Sequence, residues 1–175
     1  MLTKMEPMLI NIMGVSGSGK STLAKKVADK AQIEYVDADD FHSTDAKNLM
    51  AKGIGLTEEI RIAWIERLCT FLSEKAAANI SCVLAYSGLK QHHRAKIAAS
   101  YAYSQHYFID LPFDVLEHRL ASRKHFFNPR LLADQFDQLE PFDNDENVIL
   151  LDGKRHSNAL AKQIISKHFE STNSN

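Results

Sequence analysis

The sequence has few of the residues and segments that mark several classes of protein. It holds two cysteines, Cys69 and Cys82, which stand in apolar runs without metal-binding or redox spacing. Such cysteines are expected to be buried thiols of a reducing compartment rather than parts of a disulfide scaffold. The eight histidines form no H-x-x-x-H pair, so their spacing offers no sign of a zinc site.

Long apolar runs and an excess of one charge are also missing. No run reaches the roughly 18 apolar residues that a membrane-spanning helix needs, and residues 1–7 hold no apolar segment of signal-peptide length. The 21 basic and 22 acidic residues leave a net charge of −1. This balance argues against a nucleic-acid or membrane partner and favours a small molecule. A cytoplasmic location is therefore the expectation.

Against this background one glycine-rich stretch stands out. Residues 14–21, with the sequence GVSGSGKS, fill every fixed position of the P-loop pattern G-x-x-x-x-G-K-[ST]. An apolar run precedes the stretch and a helical pattern beginning near Thr22 follows it. That order places the first amide groups of a helix at an anion-binding loop. The sequence thus predicts a nucleotide-phosphate site in which Lys20 faces the β- and γ-phosphates and Ser21 is a Mg²⁺ ligand. The residues assigned to the nucleotide here are Gly14, Val15, Ser16, Gly17, Ser18, Gly19, Lys20, Ser21 and Thr22.

The remaining pattern alternates short apolar runs with helical segments. Five strands are predicted, over residues 8–13, 33–36, 80–86, 105–111 and 147–151. Alternation of this kind is typical of a three-layer α/β/α protein with a five-stranded parallel sheet. A single domain over 1–175 is expected, with an acceptor-side helical region at about 42–79, a small helical lid at about 123–138 and a frayed tail at 171–175. Thr57 is predicted to cap a helix whose apolar stripe, including Trp64, packs in the core.

Two aspartates follow the second predicted strand. Since ligands of parallel sheets bind beyond the carboxyl ends of the strands, Asp37 and Asp39 are expected at the mouth of the P-loop. A kinase needs one carboxylate near its metal and one on the acceptor hydroxyl, and these two residues suit those tasks. Aspartates also commonly cap turns after strands, and the spacing alone does not separate the two interpretations.

Several basic residues complete the pattern. Arg119 and Arg123 lie four residues apart on a predicted helix, just before an irregular basic segment at 124–129 that would suit a closing loop. Taken alone, such a pair of arginines is more often part of a solvated surface. Arg61, Lys90 and Arg94 would suit an anionic acceptor, although each alone is more typical of surface.

With these residues in view, the chain resembles gluconate kinases of the small P-loop type, which are related to shikimate kinases. The resemblance extends from about Ile10 to Asp152. Beyond the P-loop it rests on the D-A-D stretch at 37–39, followed by His42, and on the pieces S-G-L-K at 87–90, H-F-F at 125–127 and L-L-x-x-Q-F-x-x-L-E-P at 131–141.

The resemblance implies a function and roles for these residues. It implies ATP- and Mg²⁺-dependent phosphorylation of a sugar acid, most simply D-gluconate to 6-phosphogluconate. Lys20, Asp39 and Arg123 would be catalytic, and Ser21 and Asp37 would serve the metal. Arg119 and Arg123 would contact the nucleotide. The acceptor would be held by Asp39, His42, Arg61, Ser87, Lys90 and Arg94. A homodimer is compatible with the sequence.

The chain departs from the family pattern mainly on the acceptor side. Departures occur at Ser43, Ala46, Gly55, Ile60, Ala63 and residues 86–88. They leave two alternatives open. One is a kinase for another sugar acid or hydroxy acid such as shikimate, and the other is a regulatory protein that binds a nucleotide without transferring phosphate.

Overall fold

A five-stranded parallel sheet organises the chain in a computed structural model that describes residues 6–123 and 129–170. Its order is β2-β3-β1-β4-β5, and all four neighbouring pairs are parallel. The strands are β1 (Met8–Met13), β2 (Glu34–Asp37), β3 (Cys82–Tyr86), β4 (Tyr103–Asp110) and β5 (Val148–Asp152). The predicted α/β fold is confirmed, and the strand bounds agree with the sequence pattern to within two residues.

Seven α-helices connect and cover these strands within the described residues. They are α1 (Lys20–Ala31), α2 (Thr44–Ala51), α3 (Glu58–Ala77), α4 (Gln91–Ala98), α5 (Phe113–Ala121), α6 (Pro129–Gln138) and α7 (Ser157–Phe169). Short 3-10 turns occupy Ala38–Phe41 and Asn144–Glu146. None of the helices in these ranges is long and apolar enough to cross a membrane.

Strand β1 is central because both of its faces are covered. Ile10 and Ile12 pack in a cluster with residues of α1, α5 and α7, whereas Leu9 and Met13 pack with residues of α3 on the opposite side. A strand buried on both faces loses the alternation of polar and apolar residues, which explains its nearly continuous apolar sequence. The P-loop therefore follows directly after a strand that is buried at all positions but its first.

The cap predicted for α3 is confirmed. The Thr57 hydroxyl accepts the amide of Ile60 at the start of that helix. Pro112 is the N-cap residue of α5. The predicted irregular segment at 124–129 lies outside the described residues except for Pro129, which begins α6, and the predicted frayed tail lies outside them entirely.

Candidate active site

The P-loop adopts the curled backbone that its sequence predicts. Gly17 and Gly19 have φ angles of 80° and 91°, values in the left-handed region that favour glycine. Gly19 is the N-cap residue of α1, so no side chain caps the helix there, and no acidic residue stands in its first turn. The first amide groups of α1 are thus left for an anion.

A buried hydroxyl beside this loop supports the same interpretation. Ser18 is almost fully buried, and its Oγ atom has no hydrogen-bond partner among the described residues. Buried polar groups are rarely left without a partner, and those that are require an explanation. A phosphate oxygen held by the loop would supply it. The loop is also tightly closed, since a Cβ atom on Gly14 would lie 2.3 Å from Ser18 Oγ.

Lys20 and Asp39 line the same cavity, of about 170 Å³, at the carboxyl edge of the sheet. Burial lowers the pKa of Lys20, while the negative charges of Asp39 and Asp37 oppose that shift. Asp39 exposes 74% of its side chain, so its carboxylate is accessible from the cavity. The ammonium of the P-loop and an accessible carboxylate therefore face one space.

Asp37, unlike the exposed Asp39, is held in place by hydrogen bonds. Asp37 accepts the Asp39 amide at 3.0 Å and the Tyr35 hydroxyl at 3.1 Å, and so caps the turn after β2. The Tyr35 hydroxyl also interacts with Ser21. One hydroxyl group thereby contacts both residues that are predicted to serve a metal. Tyr35 was not among the residues that the sequence singled out.

His42 and Trp64 form a second wall of the cavity. The imidazole stacks on the indole with ring centres 4.3 Å apart, and the indole Nε1 donates to the Ala38 carbonyl at 2.7 Å. Burial lowers the pKa of His42, which keeps the ring neutral at pH 7. His42 Nε2 lies 3.7 Å from Asp39, and its buried Nδ1 has no partner among the described residues.

Trp64 therefore has more than the core role that the sequence analysis gave it. Its ring is buried as predicted, but it also lines the cavity and ties α3 to the turn that carries Asp39. Helical periodicity could show that Trp64 faces inward, but not that the inward side includes a cavity.

The predicted acceptor cations are divided among several places. Arg61 and Ser87 line the cavity, and the Arg61 guanidinium contacts Gln138 at 3.0 Å and Asp134 at 3.6 Å. Lys90 lies beside it, in a small adjoining space, and pairs with Glu140 at 3.4 Å. Residues of α6 and of the segment after it thus hold Arg61 in the cavity and Lys90 beside it.

Arg94 is not part of this group. Its side chain is completely buried and does not line the cavity. All five of its N–H groups are used: by Glu146, and by the carbonyls of Gly88, Leu89, Glu140 and Pro141. The prediction that Arg94 holds the acceptor directly is therefore replaced by a structural role, since the guanidinium joins the segment after β3 to the segment after α6.

The two arginines at the end of α5 lie on the nucleotide side. Arg119 donates to the Gly153 carbonyl at 3.2 Å and lines a second cavity, of about 330 Å³, with Ser18, Gly19 and Thr22. Arg123 is exposed, and its charge contributes to lowering the pKa of Lys20. Of the predicted basic closing segment, residues 124–128 lie outside the described residues.

Helix α6 contacts the P-loop and lines the cavity. Gln135 Oε1 accepts the amide of Ser16 at 2.7 Å, and its Nε2 donates to Ser16 Oγ at 3.0 Å. Leu131, Asp134 and Gln135 all line the cavity. Gln135 belongs to a motif that the sequence analysis quoted, but no role was predicted for it. The motif at 131–141 was therefore the sequence feature that could have pointed to a role for Gln135.

Most of the departures from the family pattern lie away from the cavity. Ser43 caps α2 by accepting the Ala46 amide, and Ala46 is fully buried. Gly55 does line the cavity, where an added Cβ would lie 3.4 Å from Asp134. Gly88 has a φ of 67°, and a Cβ there would lie 2.4 Å from Met13 Sδ, so this position requires glycine. The lining of the cavity that holds Lys20 and Asp39 thus differs from the family pattern at few positions.

Comparison with known proteins agrees with this geometry. A family model described as an AAA domain matches residues 9–141. The probable gluconokinase of Mus musculus is 36% identical over 161 residues, which are 82% of this chain and 88% of the mouse protein. A sugar kinase structure from Janibacter sp. HTCC2649 superposes with a TM-score of 0.86 at 33% identity, covering 91% of this chain and 93% of that one. A gluconokinase structure from Sinorhizobium meliloti 1021 gives 0.78 at 25% identity, covering 95% and 98%. Because the likeness spans nearly the whole length of each relative, the chain belongs to the gluconokinase family of P-loop kinases.

Proposed function

We propose that this protein transfers the γ-phosphoryl group of ATP to the terminal hydroxyl of D-gluconate, giving 6-phosphogluconate and ADP. The observation that carries the proposal is the placement of Lys20 and Asp39 in one cavity directly beside the P-loop. Relatives that align over most of the chain are named as gluconokinases, which supports the choice of acceptor.

The nucleotide side of the site suits a triphosphate. The free amides at the start of α1 and the Lys20 ammonium neutralise charge on the β- and γ-phosphates. Arg123 adds positive charge near Lys20, and Arg119 lines the neighbouring cavity that continues from the P-loop. Positioning of this kind supplies most of the catalysis in phosphoryl transfer, because the transition state requires little covalent help from the protein.

The acceptor side suits a polyhydroxy acid. Arg61 offers a guanidinium to the carboxylate, while His42 and Ser87 can hydrogen-bond hydroxyl groups. Asp39 orients the terminal hydroxyl and takes its proton as the oxygen bonds to the γ-phosphorus and the bond to the bridging oxygen of ADP breaks. The apolar faces of Trp64 and Leu131 help to keep water from the transferred group.

The residues near the P-loop also fit Mg²⁺. Ser21 and Asp37 approach one phenol, that of Tyr35, and both provide the oxygen ligands that this ion prefers. When bound, Mg²⁺ would neutralise charge on the phosphates. Asp37 accepts two hydrogen bonds, which fix its carboxylate where it would help to hold the ion through the ion's hydration shell.

A panel of acceptors tests the proposal. With MgATP, we expect ADP release to depend on D-gluconate and to exceed release with other aldonic acids or with shikimate. A different preferred acid would assign another substrate to the same machinery. ATP binding without turnover on any acceptor would favour the regulatory alternative, although a regulatory protein has no need of an acceptor-facing carboxylate such as Asp39.

A further inference from the structure

Three side chains converge where α3 and α4 meet, at the edge of the active site, and one of them, His93, also lines the small space beside Lys90. His92 Nε2 lies 2.8 Å from Glu58 Oε1, and His93 Nε2 lies 3.1 Å from the same oxygen. One ligand atom from each residue lies within 4.8 Å of the other two. We propose that Glu58, His92 and His93 form a binding site for a divalent transition-metal ion of the Zn²⁺ type, separate from the residues beside the P-loop that would serve Mg²⁺.

The donor set matches the chemistry of such ions. Two imidazole nitrogens and one carboxylate oxygen suit Zn²⁺ and its first-row neighbours, whereas Mg²⁺ prefers oxygen ligands alone. In a tetrahedral zinc site, metal–ligand bonds of about 2.0–2.1 Å place neighbouring ligand atoms roughly 3.3 Å apart. The 2.8 and 3.1 Å separations lie a few tenths of an ångström below this value. The third separation, between the two histidines, is within 4.8 Å, so side-chain rotation would have to adjust all three distances to admit the ion.

The surroundings hold the ligands in place while leaving access from solvent. His93 is buried, whereas the side chains of His92 and Glu58 are 53% and 44% exposed. Glu140 accepts the amide of Gln91 at 2.7 Å and so fixes the start of α4, just before the two histidines. Thr57 caps α3 beside Glu58. Preorganised ligands with one open side are what a partly exposed metal site requires.

The site escaped the sequence analysis because its ligands come from two helices. Glu58 lies 34 residues before His92, and the two histidines are adjacent rather than one helical turn apart. Histidine spacing in the sequence therefore gave no sign of it, and only the packing of α3 against α4 brings the three residues together.

Equilibrium dialysis of the untagged full-length protein with Zn²⁺, in excess Mg²⁺ to occupy the kinase site, tests the proposal. One equivalent should bind, and Co²⁺ at the same site should give the visible absorption of a nitrogen- and oxygen-ligated ion. Glu58→Gln and His92→Gln should each raise the Kd by at least about tenfold, or about 1.4 kcal/mol. Both residues are partly exposed, so the variants should fold.

His118→Gln provides the matched control, because it removes an exposed histidine on α5. Its Kd should stay within about twofold of the wild-type value, or about 0.4 kcal/mol. Absence of stoichiometric binding, or a Kd unchanged in either site variant, would overturn the proposal. These results do not depend on which acceptor the kinase uses, so failure here leaves the proposed function standing.

Discussion

Replacing Arg94 by methionine should destabilise the protein strongly. The guanidinium is completely buried, pairs with Glu146 and donates to four backbone carbonyls. It also lies over the Phe142 ring, 4.7 Å from its centre. Methionine fills similar space but leaves Glu146 and the carbonyls without their donor. Breaking a buried ion pair on one side costs about 3–5 kcal/mol.

Thermal and urea unfolding measure this effect directly. For a chain of this size, 1 kcal/mol corresponds to about 2–4 °C, so the Tm should fall by roughly 6–20 °C. Arg155→Met is the matched control, because Arg155 is exposed and its side chain donates to Gln163, another residue at the surface of the described part of the chain. Its effect should stay within about 0.5 kcal/mol.

The double variant Arg94→Met/Glu146→Gln separates the pair from its surroundings. Its loss of stability should be smaller than the sum of the two single losses by about 0.5–3 kcal/mol, as expected for residues in contact. A loss below about 1 kcal/mol in Arg94→Met, together with a large rise in the KM for the acceptor, would refute the structural role and restore the direct binding role predicted from sequence.

The same pair gives a pH dependence with a definite sign. The hydrogen bond from Arg94 holds the pKa of Glu146 below its usual range, against the opposing effect of burial. The stability that Glu146 contributes is therefore fully present above its unfolded pKa of about 4.3 and is lost as the pH falls through the lower folded value. The difference in unfolding free energy between wild type and Arg94→Met should narrow only in that acid range. An unchanged difference down to the acid transition would contradict this assignment.

Three further predictions concern the active site. Lys20→Ala should reduce kcat by at least about a hundredfold without changing the Tm appreciably, because it removes charge stabilisation of the transition state; activity within about tenfold of wild type would contradict that role. Asp39→Asn should lower kcat far more than it weakens ATP binding measured by calorimetry, and an unchanged kcat would remove Asp39 from the acceptor site. Gln135→Leu keeps the size of the side chain but loses both hydrogen bonds to Ser16. It should raise the KM for ATP, whereas the exposed control Asp137→Asn on the same helix should not.

The sequence predicts the fold well because its strongest signals are local. The short apolar run at residues 8–13, directly before a glycine-rich loop, favours a buried strand, and the glycine pattern predicts the turn into α1. Caps such as Thr57 depend on a few neighbouring residues. These features need no knowledge of distant parts of the chain, so a single sequence is enough to find them.

The parts of the site that the sequence misses depend on contacts between distant residues. Arg94 has the sequence context of a surface cation, and only Glu146, 52 residues later, shows that it is buried. Gln135 reaches Ser16 across 119 residues. Tyr35 looks like an ordinary strand residue until its hydroxyl is seen beside Ser21 and Asp37. The sequence pattern around a polar side chain does not show whether that side chain contacts another residue or water.

The central position of β1 has a consequence for the order in which parts of the protein unfold. Its amides are hydrogen-bonded within a sheet that continues on both sides, and its side chains are almost wholly buried. Regions with these properties exchange their amide protons only in the rarest openings of a protein, whereas peripheral helices exchange in smaller and more frequent ones. Strand β1, which precedes the P-loop, should therefore be among the last parts of the chain to take up deuterium. Local unfolding of the peripheral helices could then abolish activity while β1 and the P-loop are still folded.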